Sequence, residues 1–276
     1  FDRSDRPDVF RNEDVVSAQR WVMSPTGQHI ELGIAENNLF LMLAALGLSN
    51  EWFGARLLPI GTLYDPFVAR GLDALNYACY QDSRFMLVAT PSGITLAPEG
   101  GAHQSVSTPL IGIGQPGLTY FEPAYIDELA IIMRWSFEYM QLPKGGSVYL
   151  RLSTRPIDQL SRDMGTDLSK QIISGAYWNK VPEPGAELAI VYCGAVAPEA
   201  QAAYEELSED VPGLGLLSIT SPDRLHADWL DAKRARRRER PEALAEIEQI
   251  LQILMPDAAL VTVIDGHPAT LSWLGA

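Results

Sequence analysis

Glu36 stands at the mouth of an apolar run. In ELGIAENNLFLMLAALGLS (31–49) every residue from Leu39 to Leu46 is apolar, which predicts a helix buried on all sides that begins beside Asn37 and Asn38. An acid in a first turn gains about 0.3–1 kcal/mol from the helix dipole. An unpaired carboxylate carried into a core costs several kcal/mol or takes up a proton, so Glu36 needs a specific partner. Two further stretches carry reactive or stacking side chains. GTLYDPFVARGLDALNYACY (61–80) sets Tyr64 and Phe67 around Pro66, which suits the first turn of a helix; read alone, the two rings are core aromatics at helical spacing. In PEGGAHQSV (98–106) His103 follows paired glycines that permit close backbone approach. Read alone it is a surface histidine, but its imidazole can donate a proton to, or hydrogen-bond, a substrate oxygen near neutral pH. Glu99 and Gln104 are placed to orient it.

The elements that must position these residues alternate along the chain. ARLLPIG (55–61), RFMLVAT (84–90), GSVYLRL (146–152), ELAIVYC (187–193), LGLLSIT (214–220) and ALVTVID (259–265) are continuous β-rich apolar runs, the pattern of strands buried on both faces of a parallel sheet. Helical patterns at 37–48, 65–80, 125–140, 198–207 and 241–254 separate them. The alternation predicts an α/β fold of two three-layer α/β/α domains with mostly parallel sheets. A polar, proline-punctuated stretch divides them, giving a first domain at 1–155, a linker at 156–186 and a second domain at 187–276.

With 276 residues, 47% hydrophobic and 20% charged, the chain reads as globular rather than disordered. A formal net charge of −14 argues against nucleic acid as the main partner, since phosphate binding needs a basic face. The basic run KRARRRER (233–240) reads as a solvated face, with an acidic-partner patch as the alternative. Two distant cysteines, Cys79 and Cys193, form no CxxC pair and suggest a reducing compartment. The longest apolar run falls far short of the ~20 residues needed to span a bilayer, so a cytoplasmic protein is expected, with no membrane partner. HIE (29–31) is too sparse for a metal site, and His226 is expected at the surface. The chain opens on Phe1 and closes just after a strand-like run, which suggests a piece of something longer.

LGIAENNLFLMLAALGLS resembles the pyrimidine-binding module of thiamine-diphosphate enzymes: transketolases, deoxyxylulose-phosphate synthases and the decarboxylating components of 2-oxoacid dehydrogenases. The resemblance runs through most of the chain and is strongest to the homodimeric, bacterial-type pyruvate dehydrogenase decarboxylating component. It implies that Glu36 hydrogen-bonds a ring nitrogen of the cofactor's aminopyrimidine, favouring the imino tautomer that deprotonates the thiazolium carbon. It implies cofactor contacts for Tyr64 and Phe67, a substrate-facing role for His103, and a scaffold role for the YFEPAYIDE helix start (120–128). Arg155 lies near where sugar-phosphate enzymes of the family place a phosphate-binding arginine, but LRLSTRP departs from their pattern and the role is not carried over. The DGHPATLSW stretch (265–273) resembles a C-terminal domain, incomplete here and remote from the chemistry. The family's Gly-Asp-Gly…Asn motif, which holds the diphosphate through Mg2+, has no match in the chain. The expected protein is therefore the pyrimidine-activating part of a pyruvate dehydrogenase. It would work as a homodimer with a lipoyl-bearing acyltransferase partner, with the diphosphate site on the same long chain or on a partner subunit. Ketol transfer between sugar phosphates, or a noncatalytic assembly module, are the alternatives.

Overall fold

The computed structural model describes residues 2–3, 21–22, 24–238 and 240–275. Two four-stranded sheets organise it. The first joins β3 (Ile60–Leu63), β4 (Met86–Ala89), β5 (Leu118–Phe121) and β6 (Ser147–Arg151) in the order β3-β4-β6-β5, every pair parallel. The second joins β7 (Ala176–Lys180), β8 (Ala186–Cys193), β9 (Gly215–Ile219) and β10 (Leu254–Ile264) in the order β10-β8-β9-β7, parallel except where β7 runs against β9. A short antiparallel pair, β1 (Asp2–Arg3) with β2 (Trp21–Val22), precedes them.

Helices cover both faces of each sheet because alternate strand residues point to opposite sides. On one face of the first sheet, Leu87, Ala89 and Tyr149 pack against Phe40 and Leu43 of α1 (Glu36–Gly47) and Leu75 and Ala78 of α3 (Leu72–Tyr80). On the other, Met86, Val148 and Leu150 meet Ile132 of α5 (Ile126–Tyr139) and Ile172 of α6 (Thr166–Ser174). In the second sheet, Val191, Leu217 and Ile219 pack on Leu225 and Ala232 of α8 (Pro222–Arg237) and Ile247 of α9 (Glu246–Leu251). Ile190, Tyr192 and Leu216 pack on Ala197 and Ala200 of α7 (Ala197–Leu207). Two short helices, α2 (Ser49–Phe53) and α4 (Thr108–Gly114), complete the set. The carboxyl ends of the two sheets face each other: Glu122 after β5 donates its N–H to Thr220 O after β9, and Ser221 Oγ donates to Tyr120 O.

Several elements differ from expectation. The segment 156–186, expected as a linker, holds α6 and β7. The apolar residues of α6 are thinly spaced among polar ones, and β7 is a strand only through its antiparallel edge pairing. β5 and α8 went unrecognised: β5 has four residues, and α8 is so charged that Leu225 and Ala232 do not stand out. Its Ser221 cap, which accepts from Arg224 N, was the available signal. The helix expected at 241–254 is confined to α9 because β10 begins at Leu254. The basic run ends α8, where Arg236 pairs bidentately with Glu248 and Arg234 with Asp231, while Glu239 lies outside the described residues. His226 is half-buried between Trp229 and Trp273 rather than at the surface, and burial lowers its pKa.

Helix α1 is not enclosed. Phe40, Leu43, Ala44 and Gly47 are buried, but Leu41 is 54% exposed, because α3 and the sheet cover one face only. That face seats closely. A Cβ on Gly47 would come within 2.2 Å of Ser83 Oγ and 2.7 Å of Arg84 N. Gly47→Ala is therefore expected to destabilise the protein by about 1–3 kcal/mol, the usual cost of overpacking. Thermal denaturation would show a Tm several degrees lower; an unchanged Tm would contradict this seating of α1.

Candidate active site

In an open α/β sheet the loops at the carboxyl ends of the strands are where ligands bind, and the sequence-singled residues gather there. Glu36 opens α1, and its side chain is 14% exposed. Its Oε1 accepts from Arg70 Nη1 at 3.2 Å. The Arg70 guanidinium lies 3.9 Å from the centroid of the Phe67 ring. Phe67 stacks on Tyr64 at 5.9 Å and 7°, and meets the edge of His103 at 5.8 Å. Glu36, Arg70, Phe67, Tyr64 and His103 thus form one connected row. The partner that Glu36 requires is, within the chain, a cation itself 54% exposed.

Beneath this row lies a buried charge cluster. Residues Asp65–Gly71 form a 3-10 helix with Pro66 in its first turn, so Tyr64 and Phe67 fall on one side of the chain's exit from β3. Asp65, fully buried, fixes that exit: it accepts from Arg151 Nε at 2.8 Å, from Thr108 Oγ1 at 2.6 Å and from the Tyr149 hydroxyl. Arg151, the last residue of β6, also donates from Nη1 to Glu122 Oε1 at 2.6 Å and from Nη2 to Ser105 O at 3.1 Å. Tyr120 Oη donates to Glu122 Oε2. Burial pushes the Glu122 carboxyl up to about 7; Arg151 and the Tyr120 hydrogen bond oppose the rise, and the Asp265 and Asp65 charges add to it.

His103 ends the short 3-10 turn Gly101–His103 and donates its N–H to Gly100 O at 3.0 Å. Gly100 has φ +90°, a conformation that other residues rarely adopt. The His103 Nδ1 is buried without a hydrogen-bond partner. Glu99 and Gln104, expected to orient the ring, do not; both are exposed on the loop. Asp265 and His267 do touch this loop, so the 265–273 stretch is not remote from it as expected: Ile94 N donates to Asp265 Oδ2 at 2.7 Å, and His267 N donates to Val106 O at 2.9 Å.

The row combines stacking rings with a carboxylate acceptor, and the half-exposed Arg70, which lies over Phe67 and holds Glu36, would have to give way for a flat heteroaromatic group to use both. Offset stacking of this kind is worth about 0.5–1.5 kcal/mol beyond the area buried. Among the described residues no group of three or more His, Cys, Asp or Glu side chains is arranged to hold a metal ion. Arg70, Asp65, Arg151 and Asp265 were not singled out from the sequence. Arg151 alone left a local signal, a charge inside an otherwise apolar strand run.

No family model matches the chain. Relatives are found directly. The chain is 28% identical over 226 residues, 79% of its length, to the pyruvate dehydrogenase E1 component of Mycolicibacterium smegmatis. It is 25% identical over 186 residues, 65% of its length, to the 1-deoxy-D-xylulose-5-phosphate synthase of Clostridium perfringens. These matches cover 24% and 26% of the relatives' own lengths, so the chain spans about a quarter of each. Among solved structures, transketolase from Leishmania mexicana superposes with a TM-score of 0.70 at 19% identity, over 90% of this chain and 32% of that one. The chain is thus similar in sequence to a pyruvate dehydrogenase E1 component and a 1-deoxy-D-xylulose-5-phosphate synthase, and in fold to a transketolase.

The state of Glu122 has a measurable consequence. Its folded pKa of about 7 lies above the ordinary value of 4.5, so between these pH values the folded protein holds a proton that the unfolded chain releases. The stability it contributes is complete below about 4.5 and falls as pH rises through 7. Glu122→Gln cannot titrate, and its Tm is expected to decline less steeply than the parent's from pH 5 to 8. Parallel Tm-against-pH curves would contradict the assignment.

Proposed function

We propose that the complete protein decarboxylates pyruvate on thiamine diphosphate and passes the two-carbon unit to a lipoyl group on an acyltransferase partner. The observation that carries this reading is the single surface formed by Glu36, Tyr64, Phe67 and His103. In it the Glu36 carboxyl would hydrogen-bond a ring nitrogen of the cofactor's aminopyrimidine, sharing its proton with that nitrogen. Tyr64 and Phe67 hold the ring by stacking. His103, half-buried at the edge of the Phe67 ring, hydrogen-bonds or protonates the substrate oxygen. Thiamine diphosphate, when bound, supplies the electron sink for the carbon–carbon bond that breaks. Its diphosphate and Mg2+ would be held by residues outside this chain.

Pyruvate offers a carboxylate and a ketone, whereas a sugar phosphate needs free cations. Both arginines of the 151–155 segment are already paired. Arg151 is enclosed by carboxylates, and Arg155 is bidentate with Glu199 at 2.6 and 2.8 Å and donates to Ala195 O. This favours the smaller substrate. A second chain is supported by large apolar side chains left in the open before α1 and on α1, α2 and α3: Ile34 (91% exposed), Leu41, Trp52 (75%), Phe53 (79%) and Tyr80 (84%). Surfaces of this kind mark interaction sites, and a homodimer would cover them. Both cysteines are free and buried, which supports work in a reducing compartment.

The test uses the complete protein with thiamine diphosphate and Mg2+. Offered pyruvate and ferricyanide, it should reduce the acceptor. Ketol transfer from xylulose 5-phosphate to ribose 5-phosphate without pyruvate turnover would overturn the assignment, as would absence of both activities. Glu36→Gln keeps the side-chain volume but shares a proton poorly, so turnover at saturating cofactor should fall by at least about 100-fold. Turnover near that of the parent would exclude the role given to Glu36.

A further inference from the structure

The loop carrying His103 leaves β4 and returns to α4, and two residues just beyond β10, Asp265 and His267, hold its two ends. At the entrance, Asp265 Oδ2 accepts the Ile94 N–H at 2.7 Å. Gly93 is required there twice over. Its φ is +52°, and a Cβ would come within 1.8 Å of Asp265 Oδ2. At the exit, His267 N donates to Val106 O at 2.9 Å, and a Cβ on Gly266 would lie 3.0 Å from Pro109. Between these points the entrance and exit are tied to each other, since Gly93 N donates to Ser105 Oγ and Arg151 Nη2 to Ser105 O.

Packing does only part of this holding, through the fully buried Leu96. A cavity of about 180 Å³ lies between the loop and Asp265, lined by Gly93, Ile94, Ala97, Gln104, Ser105 and Val106. A loop with a space behind it depends on its hydrogen bonds for its pose. His103 has no side-chain hydrogen bond at its buried Nδ1, and the Phe67 ring stands at its edge. The position of its ring therefore follows from where the loop ends are fixed.

We propose that Asp265 is a positioning residue: by accepting the Ile94 N–H across the junction of the two sheets, it sets the pose of the His103 loop. The consequence for catalysis rests on the reading of His103 as the substrate-facing residue. Asp265 is suited to a specific test because the core does not depend on it. It lies 3.9 Å from Arg151, which is paired more closely with Asp65 and Glu122, at 2.8 and 2.6 Å.

The experiment compares the complete protein with its Asp265→Ala, Asp265→Asn and His103→Ala variants. Amide hydrogen exchange reads the loop, and steady-state kinetics with pyruvate read the site. In Asp265→Ala, exchange at residues 94–106 should quicken by at least about tenfold while β8 and β9 keep their protection. Asp265→Asn, which keeps an oxygen acceptor, should restore most of the protection. The value of kcat/KM should fall on the order of tenfold in Asp265→Ala with cofactor affinity unchanged, because a small misplacement of a substrate-facing group is costly. Combined with His103→Ala, the Asp265→Ala loss should largely disappear, as expected for residues acting as one unit. Unchanged loop exchange in Asp265→Ala would overturn the proposal. So would equal loosening in the Asn variant, or a loss of protection spread through β8 and β9. If the loop loosens but His103→Ala turns over substrate normally, the positioning by Asp265 stands and the reading of His103 fails.

Discussion

The Arg151 guanidinium is fully buried, and the fold around the site depends on its compensation. A charge taken out of water is tolerated only when it is paired and its donors are satisfied. Here the pairing comes from Asp65 at the end of β3, Glu122 at the end of β5 and the Ser105 carbonyl in the loop after β4. Two of these partners stand two residues from a candidate site residue. Asp65 precedes Phe67 by two residues, and Ser105 follows His103 by two. Moving either segment away from the sheet would strand buried charge. The distance between the aromatic pair and the histidine is in this way fixed by electrostatics inside the sheet edge, not by the surface residues themselves.

The same constraint explains what could be read from the sequence. Strands buried on both faces leave continuous apolar runs, and β4, β6, β8 and β9 were recognised on that ground within a residue or two. Glu36, Phe67 and His103 stand out as candidates because each sits oddly in its own window: an acid before an apolar helix, aromatics around a proline, a histidine after two glycines. Arg151 and Asp65 are 86 residues apart, and no local window joins them. Asp265 lies farther still from Ile94, and its acidic side chain in a turn is unremarkable until the fold brings β10 beside the loop. β7 was hidden for a related reason, since a single edge pairing makes AYWNK a strand.

Helix α1 was expected to be enclosed, and its exposure matters for function. The apolar residues that local sequence assigns to a core divide between an inner face on α3 and an outer face open in this chain. Edge strand β3 likewise leaves Ile60 46% exposed, although parallel sheets are ordinarily covered on both faces. Glu36 stands at the start of that helix with one cation beside it. A carboxylate, a stacked aromatic pair and a histidine stand together at this end of the first sheet.

The most direct test is hydrogen exchange of the complete protein with and without thiamine diphosphate and Mg2+. Binding at the row described should slow exchange together in three separate segments of this chain: 36–40 at the start of α1, 64–70 along the aromatic pair, and 100–105 around His103. The strands of the second sheet should change little. Protection that appears elsewhere while these three segments exchange as before would contradict the placement of the cofactor on Glu36, Phe67 and His103.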